Sequence, residues 1–299
     1  MTDTDSLTSD LERFREKFSE MKSEIQKAIV GYDELLTDVL VAVFAKGHVL
    51  LEGVPGLGKT YLVQTLSRSM GLLPGRIQCT PDLMPADILG THIVNENDDG
   101  RRVMHFERGP VFANLILVDE INRATPKTQA ALLEVMQEGA VTAGGETLSL
   151  PKPFFVMATQ NPMEMEGTYP LPEAQADRFL FKLKVPFPDQ ETLIEISKRT
   201  SAFDSPELAQ VIGADELIEF QKILAEIPVA DHVTEFAAKI VLGTHPEEES
   251  SLEGVNQYVS YGASPRGMQA LIRGARIHCA LDGRIAVSIE DVVRVALPS

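Results

Sequence analysis

Residues 48 to 60 read HVLLEGVPGLGKT: an apolar, strand-like run, a glycine-rich turn, then Lys59-Thr60 at the mouth of a helical pattern that carries Leu62, Leu66 and Met70. Within it, Gly53, Val54, Pro55, Gly56, Leu57, Gly58, Lys59 and Thr60 spell GxxxxGKT. Glycines at these places let backbone N–H groups turn inward around phosphate oxygens, and the helix N-terminus adds a favourable dipole. Lys59 then reaches the outer phosphates, and the Thr60 hydroxyl can hold magnesium. A glycine-rich turn that bound nothing would not need Lys-Thr at this spacing.

Working outward, further short apolar runs alternate with helical patterns: IQCT at 77 to 80, LILVDE at 115 to 120, FFVMAT at 154 to 159 and FKLKV at 181 to 185. That rhythm predicts a mostly parallel sheet covered on both faces. Between the third and fourth runs, TPKTQAALLEVMQEG has Thr125 as N-cap, Pro126 in the first turn and Gly139 as terminator, which defines a helix.

LILVDE sets Asp119 and Glu120 side by side at the end of an apolar strand, where two carboxylates are costly without a cation or water to serve. A magnesium nucleotide supplies the reason: Asp119 would hold the metal through its water shell, and Glu120 would orient the attacking water as general base. No DxxG follows and no NKxD is present, so ATP is favoured over GTP. In FFVMATQNP, Asn161 reaches the tip of the next buried strand, where an amide can fix that water. Asn-Pro alone is only a turn signal.

Two arginines stand out. Arg266 follows Ser264-Pro265 in a first helical turn, where a cation opposes the helix dipole; it meets either an anion such as a phosphate or a salt-bridge partner. Arg178, in LPEAQADRF, reads either as the partner of a nearby acid or as a catalytic residue.

Around this centre, Leu11, Phe14, Phe18, Met21 and Ile25 predict an amphipathic helix over 10 to 29, with Ser9 and Glu12 as a capping box. Residues 91 to 106 and 140 to 150 contain Asp99-Gly100 and Gly144-Gly145 and predict hairpins inserted between sheet elements. Beyond about residue 190 the apolar spacing is helical, with an acidic loop from Glu247 to Glu253. Three units follow: an N-terminal helix over 1–29, a nucleotide-binding domain over 30–188 and a helical domain over 189–299.

The 299 residues include 27 basic and 44 acidic side chains, a net charge of −17. Such a chain is repelled by a nucleic-acid backbone, so no nucleic-acid partner is expected. MTDTDSLTSD has neither the basic start nor the apolar stretch of a signal peptide, and Asp38 and Lys46 interrupt the most apolar region, so the expectation is a cytoplasmic protein without membrane insertion. Cys79 and Cys279 lie far apart without a CxxC pair, which suits buried thiols in a reducing compartment and not a zinc site.

These residues together resemble the MoxR family of AAA+ ATPases, in the clade with a hairpin inserted in the second helix and another before the sensor-one strand. The likeness spans nearly the whole chain: VGYDELL at 30 to 36, GVPGLGKT, LILVDEINRA at 115 to 124, ATQNP, EGTYPLPEAQADRF at 166 to 179 and GASPR. It implies a P-loop NTPase core with a five-stranded parallel sheet in the order 5-1-4-3-2 and a small helical lid. Nucleotide, ATP or ADP, would contact Val30, Gly31, the loop from Gly53 through Tyr61, and Asp119, with Mg2+ at Thr60 and Asp119. Sensor one falls on Asn161, a finger toward a neighbouring subunit on Arg178, and sensor two on Arg266. The resemblance also implies a ring, usually a hexamer, a chaperone-like action on a protein client, and a partner bearing a von Willebrand factor A domain. Tyr32 stands where glutamine is usual, Ala176 replaces a larger apolar residue, and the chain stops at ALPS where relatives continue, so a shortened lid or a truncated chain is expected. Rival readings are a metal-chelatase motor subunit, against which EGTYPLPEAQADRF weighs, and a nucleotide-dependent scaffold with little hydrolysis.

Overall fold

The structure, a computed structural model, describes residues 3–54, 56–96, 102–163, 167–201, 206–246, 248, 251 and 253–299. Helices α1 (Asp3–Ala28) and α2 (Asp33–Phe44) lead into β1 (Val49–Glu52), α3 (Lys59–Ser69), β2 (Pro74–Gln78) and α4 (Pro85–Leu89). A hairpin of β3 (Gly90–Glu96) and β4 (Arg102–Arg108) precedes β5 (Leu115–Asp119) and α5 (Pro126–Glu138). A second hairpin, β6 (Ala140–Ala143) and β7 (Glu146–Ser149), precedes β8 (Phe155–Gln160), the single-turn α6 (Glu173–Ala176) and β9 (Phe181–Lys184). The rest is helical: α7 (Gln190–Ser201), α8 (Ala214–Ala225), α9 (Asp231–Gly243), α10 (Glu253–Tyr258), α11 (Pro265–Leu281) and α12 (Ile289–Ala296).

Five parallel strands form the sheet in the order β2-β5-β8-β1-β9. Counting only these five in chain order, the sheet runs 5-1-4-3-2 from the β9 edge, as the resemblance implies. Val49 to Leu51, Leu115 to Val118 and Phe155 to Thr159 are all buried, because helices cover both faces, and this explains their unbroken apolar runs. The parallel arrangement carries the C-terminal ends of β1, β5 and β8 to one edge, where a ligand site of an open α/β sheet belongs.

Two local expectations are corrected. The second strand is Pro74–Gln78 and not 77 to 80: it is an edge strand whose pairing with β5 starts at Pro74 opposite Leu115 and ends at Gln78 opposite Asp119. The first helix begins at Asp3, so Ser9 and Glu12 lie inside it and cap nothing. Leu7 explains the extension, since it adds one turn to the stripe of Leu11, Phe14, Phe18, Met21 and Ile25 and packs on the same core. Phe14 meets Phe44 of α2 at 5.0 Å and Phe220 of α8 at 5.6 Å, both edge-on. One continuous apolar cluster thus runs from α1 through the sheet's inner face to α8, α9 and α11.

Both inserted hairpins are present. Val94 pairs with Met104 in the first, whose predicted turn at Asp99-Gly100 lies outside the described residues. In the second, Ala143 pairs with Glu146 around Gly144 and Gly145, which have φ of 60° and 86°, the left-handed pair that a two-residue hairpin turn demands. The two pack together: a Cβ on Gly144 would fall 2.4 Å from Cε1 of His92 in β3. Among the described residues no helix is long and apolar enough to cross a membrane.

Candidate nucleotide site

The loop after β1 takes its shape from two glycines, Gly56 at φ 86° and Gly58 at φ 74°, the latter serving as N-cap of α3. No atom would obstruct a Cβ at either place, so backbone conformation and not space selects glycine. Pro55 lies outside the described residues. Lys59 opens α3 and donates from Nζ to the Gly53 carbonyl at 2.8 Å. Burial pulls its ammonium below the ordinary lysine value, while Asp119 and Glu120 oppose that shift. Thr60 follows in the same turn.

Above this loop lies a cavity of about 520 Å3. Val30, Gly56, Leu57, Gly58, Lys59 and Tyr61 line it, as does Tyr32. Gly31, Gly53, Val54 and Thr60 adjoin these in sequence without lining it. One further part of the wall was not legible in the sequence: Phe187, Leu193, Ile196 and Arg199, on α7 and the Pro-flanked segment before it. Helix α7 is close because Gly31 allows it; a Cβ there would meet Thr192 Cγ2 at 2.9 Å. Arg199 ties the helix down, donating to the carbonyls of Gln26 and Lys27 at 3.0 and 3.1 Å. The cavity is thus largely apolar with one phosphate-type loop, a shape suited to a base at one end and anionic oxygens at the other.

Asp119 and Glu120 stand at the end of β5, and a buried hydroxyl that the sequence did not single out controls both. Thr159 Oγ1, on β8, donates to Asp119 Oδ1 at 2.7 Å and accepts from the Glu120 backbone N–H at 2.9 Å. Asp119 Oδ2 also accepts from Arg76 at 3.2 Å. Glu120 has φ 56° and ψ 50°, a left-handed conformation costing on the order of 1–3 kcal/mol for a non-glycine residue. Its Oε2 accepts from Arg123 at 2.9 Å and from Gln78 at 3.3 Å. Cys79, beside the pair, is pushed up to about 12 by burial first and by Asp119 and Glu120 next, so its thiol stays protonated. Asn161 is buried at the end of β8, and its Oδ1 accepts from the Met163 N–H at 3.0 Å. The oxygen donors of Asp119 and Thr60 are the hard ligands that magnesium prefers.

Arg178 and Arg266 are brought together, but in a different place. Both reach Oε1 of Gln137 at the C-terminal end of α5, at 3.4 and 3.3 Å, and share a cleft of about 190 Å3. Neither lines the nucleotide cavity. Arg266 makes the salt bridge, with Asp177 at 3.3 Å, and Ser264 caps α11 while donating to the same carboxylate. Arg178 makes no ion pair among the described residues; its other contact is the Ala174 carbonyl at 3.4 Å. The nearby acid that its plain reading required belongs to Arg266. The segment leading to Arg178 is anchored beneath Glu120: Tyr169 N–H donates to the Asn122 carbonyl at 2.6 Å, and buried Gln129 donates to the carbonyls of Ile121 and Tyr169.

Comparison with known proteins identifies the family and the fold. Residues 48–181 match the ATPase family associated with various cellular activities (AAA), and residues 253–299 match the AAA lid domain. The chain is 46% identical to the chaperone MoxR1 of Mycobacterium tuberculosis over 272 residues, covering 91% of this chain and 71% of that protein. It is 32% identical to the MoxR protein of Methylorubrum extorquens, over 93% of this chain and 84% of the relative. Among solved structures, a candidate ATPase from Cytophaga hutchinsonii superposes with a TM-score of 0.91 at 38% identity, covering 100% of this chain and 90% of that one. The chain belongs to the MoxR family of AAA+ ATPases.

Proposed function

We propose that this protein hydrolyses ATP with Mg2+ and couples the reaction, as a ring of six copies in the cytoplasm, to the rearrangement of a protein client. The observation that carries the reading is the Thr159 hydroxyl, which locks Asp119 and the backbone of Glu120 in one arrangement beside the Lys59 loop. A scaffold that only bound nucleotide would have no use for a strained, positioned glutamate.

In this reading Gly56, Gly58 and Lys59 hold the phosphates while Val30, Tyr32 and Phe187 enclose the base. Thr60 and Asp119 would hold the metal, whose charge would offset that developing on the phosphoryl oxygens. Glu120 accepts the proton of the attacking water, aided by the amide of Asn161, as the bond from the γ-phosphorus to the bridging oxygen breaks and ADP leaves. Arg178 serves the nucleotide of the adjacent copy; that it has no acidic partner among the described residues supports this. Arg266 shares Gln137 with Arg178, so it would act on the same neighbouring site. Residues 30–188 would be the nucleotide-binding body, 189–299 the lid and 1–29 a strap joining them.

The first hairpin is the proposed client contact, since Val94 and Met104 are paired in register and remain 57% and 65% exposed. A partner with a von Willebrand factor A domain would dock there or beside it. The central test is steady-state phosphate release with parallel nucleotide titration. Lys59→Ala should lose ATP binding, whereas Glu120→Gln should keep it and lose most turnover; equal loss of binding in both would refute this division of roles between Lys59 and Glu120.

A further inference from the structure

A cleft of about 980 Å3, apart from the nucleotide site, runs between the end of α5, the base of the second hairpin, α8 and α11. Lys46, Lys152, Lys222, Arg273 and Arg276 line it, and Glu138 is its single carboxylate among the described residues. None of these five cations makes an ion pair among the described residues. Arg273 donates to the carbonyls of Ala45 and Lys46, and Arg276 to that of Ile227 at 3.0 Å. Burial pulls both guanidinium groups below the usual arginine value, which is the cost of half-burying a charge without a counter-ion. His48, also in the cleft, adds no charge: burial pushes it down to about 4. With 44 acidic side chains against 27 basic ones, a shortage of acids cannot explain this unpaired group.

Two further observations say what would cover it. The groove is continuous with the Arg178 and Arg266 cleft, sharing Lys46, Gln137 and Arg273 with it. At the far side of the site, a cleft of about 670 Å3 shares Tyr32, Leu35, Phe187 and Pro188 with the nucleotide cavity and carries Asp33, Glu34, Asp38 and Asp189. None of these four acids is ion-paired among the described residues. Two lysines also line that cleft, but Lys182 is engaged by Glu52 at 3.1 Å, leaving Lys184 against four carboxylates. If Arg178 reaches the nucleotide of an adjacent copy, the groove beside Arg178 meets the surroundings of that copy's cavity.

We propose that the basic groove receives the acidic rim of the nucleotide cavity of a second copy of this chain. The inference rests on the reading of Arg178 as a residue that acts in trans. A net charge of −17 on each copy opposes association at long range, and a local region of opposite sign offsets that repulsion at the contact. Nucleic acid is a poorer occupant for the same reason. A free phosphate is poorer too, because the cations are spread along a groove with an apolar floor that includes Phe44 and Ile218.

The test uses two full-length chains, one with Lys152→Glu and Lys222→Glu, the other with Asp33→Lys and Glu34→Lys. All four positions are exposed. Sedimentation velocity with Mg-ATP reads self-association, and binding of a fluorescent ADP analogue together with denaturation midpoints reads folding. Each chain alone should associate at least about tenfold more weakly than the parent. An equimolar mixture should recover assembly, because each reversed groove then meets a reversed rim and each native groove a native rim. Parent-like association of either chain alone would overturn the pairing, as would a mixture that stays dissociated. A parent chain that remains monomeric at every concentration would instead remove the ring reading on which the pairing rests.

Discussion

Replacing Thr159 by valine keeps nearly the same volume and deletes one buried hydroxyl that serves two partners. Asp119 loses a charge-assisted hydrogen bond of 2.7 Å, and the Glu120 N–H loses its acceptor at 2.9 Å. The orphaned N–H costs about 1–3 kcal/mol, and the two losses overlap because one atom makes both bonds, so a destabilisation of about 2–4 kcal/mol is expected. The effect on turnover has a separate origin. Glu120 is held at φ 56°, and without its anchor the residue can relax toward negative φ, swinging its carboxylate off the water it must activate. A loss of about 2.7 kcal/mol in the chemical step lowers kcat about 100-fold. Nucleotide affinity should stay within about threefold, since no phosphate contact changes. Thr159→Ser, which keeps the hydroxyl, should recover most of both losses. Urea denaturation with an unchanged m-value, phosphate release and a fluorescent-nucleotide titration provide the readouts. Wild-type turnover in the valine variant would refute the positioning role; equal losses of affinity and kcat would show a general collapse of the site instead.

Arg178→Ala and Glu120→Gln chains, each nearly inactive alone, should recover activity on mixing, because roughly a quarter of interfaces in a random ring then pair a sound glutamate with a sound finger; no recovery despite demonstrated subunit exchange would place Arg178's role within its own chain. His48 accepts from the Val156 N–H at Nδ1 (3.0 Å), so its Nε2–H donates to the Met136 carbonyl at 3.1 Å, and the ring is held neutral. Its folded pKa of about 4 lies below the ordinary 6.5, so this contribution is present above pH 6.5 and is lost as pH falls from 6.5 through 4, by about 2–3 kcal/mol. The stability advantage of wild type over His48→Gln should therefore shrink between pH 7.5 and 4.5; an advantage independent of pH would show that His48 does not titrate in this way.

Residues whose role is local were readable from sequence. Thr125 caps α5, accepting from the Thr128 N–H, Pro126 occupies its first turn, and Gly139 ends it in the left-handed region, each as the local pattern requires. Asp119, Glu120 and Asn161 fall at strand ends as expected, because period and sheet polarity alone determine that. What stayed hidden depends on contacts across long stretches of chain. Thr159 lies 40 residues from Asp119, and nothing in FFVMATQNP distinguishes its hydroxyl from an ordinary strand threonine. Gln137 looks like a solvated helix residue until Arg178 and Arg266 arrive from 41 and 129 residues away. The α7 wall of the nucleotide cavity was similarly obscure, since Leu193 and Ile196 read as an amphipathic stripe with no indication of what it covers.

In the proposed ring, helix α5 would also serve as a mechanical part. Its 13 residues make a rod about 20 Å long, fixed at one end by Gln129 to the turn after Glu120 and touching at the other end, through Gln137, both arginines of the opposite face. A tilt of about 5° at the first end displaces the second by about 2 Å, which is enough to make or break a hydrogen bond. In the proposed ring, then, whatever shifts the carboxylates of one copy is passed along a single stiff strut to the charges serving the next. Each strut joins a copy's own carboxylates to its neighbour's site, so a ring built this way has a direction, and the order in which sites fire would follow the handedness of the assembly.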